Sequence, residues 1–557
     1  VAWCCRAPRK FATSTALDSG AAAWTTATLD ADRVWEGRLA IFECVRAHAL
    51  ARSTGALPED LVLPDDEHHR SGGMRWAAGA LDGVVGHHAQ AEDDRLRAKQ
   101  IVKALRDLMS VATPEHLAHL TRLLARAPVL GVLDEVLAEI VQAGDLDPDR
   151  FHELAMLLVS RGPDREIVKL GISMLGVLVG ADERETLLTI GAHEEFTLYA
   201  AVALASTLDE PDQALWTLAR HVRGWGRIHA VERLAETEDP EIKAWLLREG
   251  YGNEVMDEYL AHTCAVAGDL AGALEADIVD EALLDGAAGI LAALLNGGPA
   301  EDIEDYEDAP RAAEAYLRHL VRRPEHRPLD LRHLLVAEQL REFIGPARDE
   351  LEDDEHLREL GWDLERRARI LDMCERVAAR SEWPGLVHEG LESPDLGRFH
   401  QADAAAQLLG IDAWEHHINR IEHNPRSSPS WFRLVQTDDF ERFDEVLELA
   451  EELLPLDEIA SGAAEELGLG PEFDVHNTLL VIVHALVDKP GVGERLIAVA
   501  LRSPLIRVRR GALRVLAAWG DKLGDEPREW LVAAAAVEPD EELAADMHKV
   551  LAGQRLE

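Results

Sequence analysis

The chain is 557 residues long and holds 104 acidic against 57 basic residues, a formal net charge of −47 at neutral pH. That length admits several domains of about 100–200 residues or one extended repeat array. Hydrophobic residues make up 47% and aromatics only 5%, a mix that favours packed helices over β-sandwiches, and so acidic a surface repels a phosphate backbone and disfavours nucleic acid as a partner.

The start, VAWCCRAPRKFATSTALDSG, is basic and rich in Ser, Thr and Ala, without the apolar run of a secretory signal. Residues 1–30 therefore read as a disordered tail or as sequence ahead of the true start. Residues 31–90 read as an N-terminal helix and linker. Val34, Trp35, Leu39, Phe42, Val45 and Ala49 recur at helical spacing, which predicts one amphipathic helix over 31–52. The Pro, Gly and acid-rich stretch 53–73, with LPEDLVLPDDEHHRSGG, predicts a linker.

From about residue 91 the pattern is continuously helical, with breaks at AGDLDPD, RGP, LDEPD, TEDP, NGGP, RRPEHRP, IGP and ESPD. Residues 91–450 read as a helical-repeat solenoid and 451–557 as C-terminal helical repeats, continuous with it or separate. The longest apolar runs, ISMLGVLVGA (172–181) and LLVIVHALV (479–487), fall short of the ~18 residues of a membrane span. The five cysteines (Cys4, Cys5, Cys44, Cys264, Cys374) form no CxxC pair, so neither a zinc site nor a disulfide framework is indicated. A reducing, cytoplasmic compartment is the expectation.

Two segments align over a whole helix: PDREIVKLGISMLGVLVG from Pro163 and PLIRVRRGALRVLAAWGD from Pro504. Both place a branched aliphatic (Ile167, Val508), then a tiny residue (Gly171, Ala512), an aliphatic (Ile172, Leu513) and a Leu (Leu175, Leu516) at matching positions. Pro opens each helix where its missing N–H costs nothing, the aliphatics form a buried stripe, and the tiny residue admits a neighbouring helix. ESPDLGRFHQADAAAQLLGI and TEDPEIKAWLLREG keep the Pro opening but slip in register.

These stretches resemble HEAT-type repeats, whose inner helix follows a turn with Asp or Pro and carries a Val-Arg step, here Val508 and Arg509. The resemblance covers about four hairpins and is consistent elsewhere over 91–557. It implies an all-α chain, an α-solenoid of antiparallel helix hairpins wound into a right-handed superhelix. The concave face of such repeats binds proteins or, in some bacterial members, small molecules or damaged DNA. GWGRIHAVERL, EIKAWLLREG and YLAHTCAVAGDLAGAL are also similar to a group of bacterial proteins that carry the label limonene hydroxylase.

A hydroxylase needs haem, flavin, iron or copper to activate oxygen. No GxGxxG occurs, since GLGPEF and GVGERL stop after the second Gly, and no haem-type Cys loop or two-His-one-carboxylate pattern stands out. No cofactor, no metal ligand set and no catalytic residue is therefore assigned. His416, Asn419 and His423 share a helix face, as do His116 and His119, but without HExxH both read as solvated helix surface. EDIEDYED (301–308) and DELEDDEH (349–356) lack the register of a calcium loop and read as solvated loops between helices.

Two surfaces are the functional candidates. The first is the flank Arg227, His229, Glu232 and Arg233, where His229 and Glu232 lie one helical turn apart, as an acid/base pair would. The second is a basic patch, Arg502, Arg507, Arg509, Arg510 and Arg514, which would grip phosphate or an acidic peptide unless it pairs with acids of adjacent repeats. Trp216, Trp225 and Trp245 read as packing between helices. The leading expectation is an interaction scaffold binding a protein or peptide partner on a concave face. The alternative is a small-molecule-binding protein or monooxygenase on the same solenoid. A third, nucleic-acid binding, would use the Arg502–Arg514 patch.

Overall fold

The computed structural model of the chain describes residues 24–50, 56–58, 61–67, 78–80, 92–144, 146–178, 183–324, 327, 329–345, 351–468 and 470–556. The chain is all-α. No β-strand occurs among these residues, although Glu466 and Leu505 form an isolated bridge. Two compact units divide it, Val1–Arg380 and Ser381–Glu557. Residues 1–23 of the expected tail and 53–55, 59–60 and 68–73 of the expected linker lie outside the described residues.

The first unit opens with α1 (Ala31–Val34) and α2 (Ile41–Leu50). These replace the single helix expected over 31–52. The break is a left-handed pair, Glu36 (φ 55°) and Gly37 (φ 67°), and long-range bonds explain it. Trp35 donates its indole N–H to Thr121 Oγ1 at 3.2 Å, and Arg38 grips both oxygens of Asp164 at 2.6 and 2.7 Å. Leu39, expected on the apolar stripe, is left 59% exposed.

There follow α3 (Glu92–Ser110), α4 (Pro114–Leu124), α5 (Leu130–Ala143), α6 (Pro148–Arg161), α7 (Arg165–Leu175), α8 (Arg184–Gly191) and α9 (Glu194–Thr207). Next come α10 (Asp212–His221), α11 (Gly224–Glu232) and α12 (Pro240–Trp245), the last running into a π turn, Leu246–Gly250. The unit ends with α13 (Glu258–Ala267), α14 (Leu270–Glu275), α15 (Glu281–Asn296), α16 (Ala309–Arg322), α17 (Leu331–Ile344), α18 (Leu351–Glu359) and α19 (Leu364–Ala378). Their packing order is regular. Helix α3 packs on α5, α5 on α7, and so on through α9, α11, α13, α15 and α17 to α19, while α4, α6, α8 and α10 each pack beside a sequence neighbour in that row.

The tiny residues explain one close approach in this row. An ideal Cβ at Gly171 would lie 2.9 Å from Leu158 Cβ and Val159 Cγ2, so only glycine lets α7 meet α6 there. Around it Ile167, Ile172 and Leu175 are buried, as are Val508, Leu513 and Leu516 in the aligned helix of the second unit.

That second unit comprises α20 (Trp383–Leu391), α21 (Leu396–Leu409), α22 (Trp414–His423), α23 (Ser428–Leu434), α24 (Phe440–Leu453) and α25 (Leu456–Ile459). It continues through α26 (Asp474–His484), α27 (Glu494–Ala500), α28 (Ile506–Trp519), α29 (Asp525–Ala535) and α30 (Glu541–Leu551). Helix α23 packs on α26, α26 on α28 and α28 on α30. One apolar cluster joins them, from Trp414 through Trp431, Ile482 and Leu516 to Val550.

Helix starts account for part of the acid excess. Asp147, Asp239, Asp280, Asp330, Asp363, Asp395, Asp439 and Asp540 each accept a backbone N–H of the helix they precede. Each such cap contributes about 1 kcal/mol and meets the positive end of the helix dipole. No helix among the described residues is long and apolar enough to cross a membrane.

Candidate functional site

The flank chosen from sequence lies on α11. Gly226 admits that helix to α9, since a Cβ there would stand 2.7 Å from Thr197 Oγ1. Arg227 turns towards α12. Its guanidinium sits 5.2 Å from the Trp245 ring centroid and donates to the Glu249 carbonyl at 2.7 Å. Burial lowers its pKa, with Cys264, Glu249, Glu254 and Asp257 opposing.

His229 is only 9% exposed, and its Nδ1 stands 3.7 Å from Glu232 Oε2, beyond hydrogen-bond reach. Its Nε2 is buried with no partner among the described residues. Arg233 donates to the His229 carbonyl at 2.7 Å and lies 3.8 Å from Glu232. The flank therefore splits, Arg227 facing the π turn and the other three closing the end of α11. Trp216, Trp225 and Trp245 pack between helices: Trp216 meets Trp245 edge-on at 6.4 Å, and Trp225 lies 5.2 Å from Tyr259.

The five arginines of the second candidate do not share one surface. Arg509 is fully buried and holds Glu538 through Nε at 2.7 Å and a terminal nitrogen at 2.6 Å, while its other terminal nitrogen donates to the Ser503 carbonyl at 2.7 Å. Arg507 donates to Gly468 O and Asn477 Oδ1, both at 2.6 Å, and Arg510 reaches Glu542 at 3.1 Å. Arg502 and Arg514 are exposed. His423 is exposed and turns its Nδ1 to the Asn419 carbonyl at 2.7 Å; His119 is exposed too. The 301–308 run is a loop anchored by buried Ile303 and Tyr306, whereas the 349–356 run is not the loop expected of it: 351–356 form the start of α18, and 349–350 lie outside the described residues.

Three polar constellations were not singled out from sequence. In the first unit Tyr316 O–H donates to His333 Nδ1 at 2.7 Å, and His333 Nε2–H donates to Asp285 at 3.1 Å. The His333 bond holds the Asp285 carboxyl below its usual range, and burial raises the Tyr316 hydroxyl far above its own. Tyr316 and His333 are both buried, so this relay cross-links α15, α16 and α17. A second constellation surrounds buried Lys169, whose Nζ lies 2.7 Å from Glu195 and 3.3 Å from Glu166.

The third borders a cleft of about 260 Å³ at the loop ends of α21 to α24. Asp403 on α21 accepts from His417 Nε2 at 2.9 Å and Arg433 Nε at 3.0 Å, and Gln407 Nε2 lies within 3.3 Å. Burial alone would raise the Asp403 pKa, but His417 and Arg433 hold it below the usual carboxylate value. Arg442, 4.8 Å above the Trp414 ring, pairs with Asp412 at 2.6 Å on the same rim. Gln436 and Thr437 complete the polar lining.

Asp403 thus has its carboxylate engaged and His417 Nδ1 is buried, while Arg433 and Arg442, paired with Asp403 and Asp412, give the rim its cationic groups. Among the described residues no group of three or more His, Cys, Asp or Glu is placed to hold a metal ion. Comparison of the chain with protein-family models and with curated proteins finds no match.

Proposed function

We propose that the chain is a helical-repeat interaction protein, an α-solenoid of antiparallel HEAT-like hairpins in a right-handed superhelix that binds a protein or peptide partner. The order of packing carries the reading. A row in which α3 meets α5, α5 meets α7 and so on to α19 is what stacked repeats produce, each burying its stripe on the next. The polar constellations add support, because Lys169 with Glu195 and Tyr316 with His333 serve as buried links between helices, and Arg509 with Glu538 ties α28 to the loop ahead of α30.

The cleft bordered by Arg433, Arg442, Gln436 and Thr437 is the contact surface this reading favours. A globular chain of this length has a radius of gyration near about 24 Å, and an extended solenoid must exceed it in solution scattering. A photo-crosslinker at Gln436 should capture a protein partner, and Arg442→Glu should reduce that capture severalfold. Stoichiometric haem, flavin or iron in the purified protein would overturn the scaffold reading in favour of an enzyme, as a compact scattering radius would overturn the solenoid.

A further inference from the structure

The acid-rich segment expected to be a linker contains a short docked turn. Leu63 accepts the Asp66 N–H at 3.1 Å, and Asp66 Oδ2 accepts the Leu63 N–H at 3.2 Å. Leu63 and Asp65 are 3% and 1% exposed. Among the described residues, the backbone-to-backbone bonds of 61–67 are local: Leu61 to Pro58 and Asp66 to Leu63. The turn meets the helices through side chains.

Its receptor is the start of α7. Asp65 accepts three bonds from Arg165: backbone N at 2.8 Å, Nε at 3.1 Å and a terminal nitrogen at 3.1 Å. Asp66 takes a fourth from Arg165 at 2.5 Å. Helix α7 has its own Asp164 at the N-cap position, but that side chain makes no cap bond and is held by Arg38. The first N–H of α7 is thus capped from 100 residues away. Behind Arg165 the site is built of buried charge: Glu195 lies 3.6 Å from Arg165 and 2.7 Å from Lys169, and Lys169 stands 5.5 Å from the Tyr199 ring.

We propose that the α7–α9 face is a receptor for an acidic peptide turn, a Leu-Pro-Asp-Asp-like loop of a protein partner, and that Leu63–Asp66 occupies it in cis. A guanidinium read by two adjacent carboxylates, with a helix N–H completing the set, is a charge-assisted recognition unit that any chain presenting the same turn satisfies. The tethered copy competes at an effective concentration on the order of millimolar, so a partner's turn engages once that copy is released. The proposal rests on the binding reading above, but capture through the Arg442 cleft would survive its failure.

The test uses the full-length chain and a labelled synthetic peptide of residues 58–67. Peptide anisotropy should show at least tenfold tighter binding to the Asp65→Asn, Asp66→Asn variant than to wild type, and adding Arg165→Ala should abolish it. Where that variant keeps native helical circular dichroism but does not bind at millimolar peptide, or binds equally without Arg165, the site is refuted. Should the variant lose its fold, hydrogen exchange on the wild type decides: millimolar peptide should speed exchange in Leu63–Asp66, and unchanged exchange overturns the proposal.

Discussion

Acidification from pH 8 to pH 5 should weaken the first unit through one histidine, His193. It precedes α9, and its Nδ1 accepts the Glu195 backbone N–H at 3.2 Å as a helix cap, which requires an unprotonated nitrogen. Burial lowers its pKa from 6.5 to about 4, with Arg165 adding to the shift and Glu195, Asp66 and Asp65 opposing it. Because the folded value is the lower one, the unfolded chain takes up a proton between those limits and the folded chain does not. The stabilisation is therefore full above 6.5 and is lost as pH falls towards 4.

Linkage over that window puts the loss by pH 5 at about 2 kcal/mol. His193→Asn keeps a side-chain acceptor for the cap and removes the titration. Urea unfolding of both proteins at half-unit pH steps, with hydrogen exchange of the 194–207 peptide as the local readout, gives the comparison. Wild type should lose stability relative to His193→Asn below pH 6.5; parallel profiles down to pH 5 would refute the reasoning.

In the second unit, Arg509→Met strands a fully buried Glu538 carboxylate and should cost about 3–5 kcal/mol in denaturant unfolding, whereas pairing it with Glu538→Leu should recover most of the loss; equal losses would deny that the ion pair is the cause. Gly171→Val places a side chain against Leu158 and Val159 and should destabilise the α6–α7 contact by about 1–3 kcal/mol, with an unchanged melting curve counting against the close approach. Burial leaves Cys264 and Cys374 inaccessible and raises both thiol pKa values, Cys374 to about 12, while Cys44 is half-buried. Alkylation followed by peptide mapping should modify Cys44 before Cys264 and Cys374, and labelling of Cys264 ahead of Cys44 would contradict the packing of α13.

Some of this was legible from residue order. Asp239 followed by Pro240 marks the start of α12, and the structure has Asp239 capping Glu241 and Ile242. A lone Lys169 inside the apolar run IVKLGISML is a sequence signal that a buried cation must find carboxylates, and it does so in Glu195 and Glu166. By contrast, nothing in VRRGALRV separates Arg509, wholly buried, from Arg514, exposed. The relay through Asp285, Tyr316 and His333 joins residues as much as 48 positions apart, beyond any helical period.

The sequence by itself determined the helical class, several helix starts such as that at Asp239–Pro240, and the buried stripes of the aligned helices, because caps and the 3.6-residue period act over a single turn or two. Tertiary structure decided which charges became internal links and where the predicted first helix breaks. The reason is that those choices depend on partners far along the chain. Arg38 meets Asp164 across 126 positions and Asp65 meets Arg165 across 100, and a charged side chain looks the same in sequence whether its counterpart is water or a buried carboxylate.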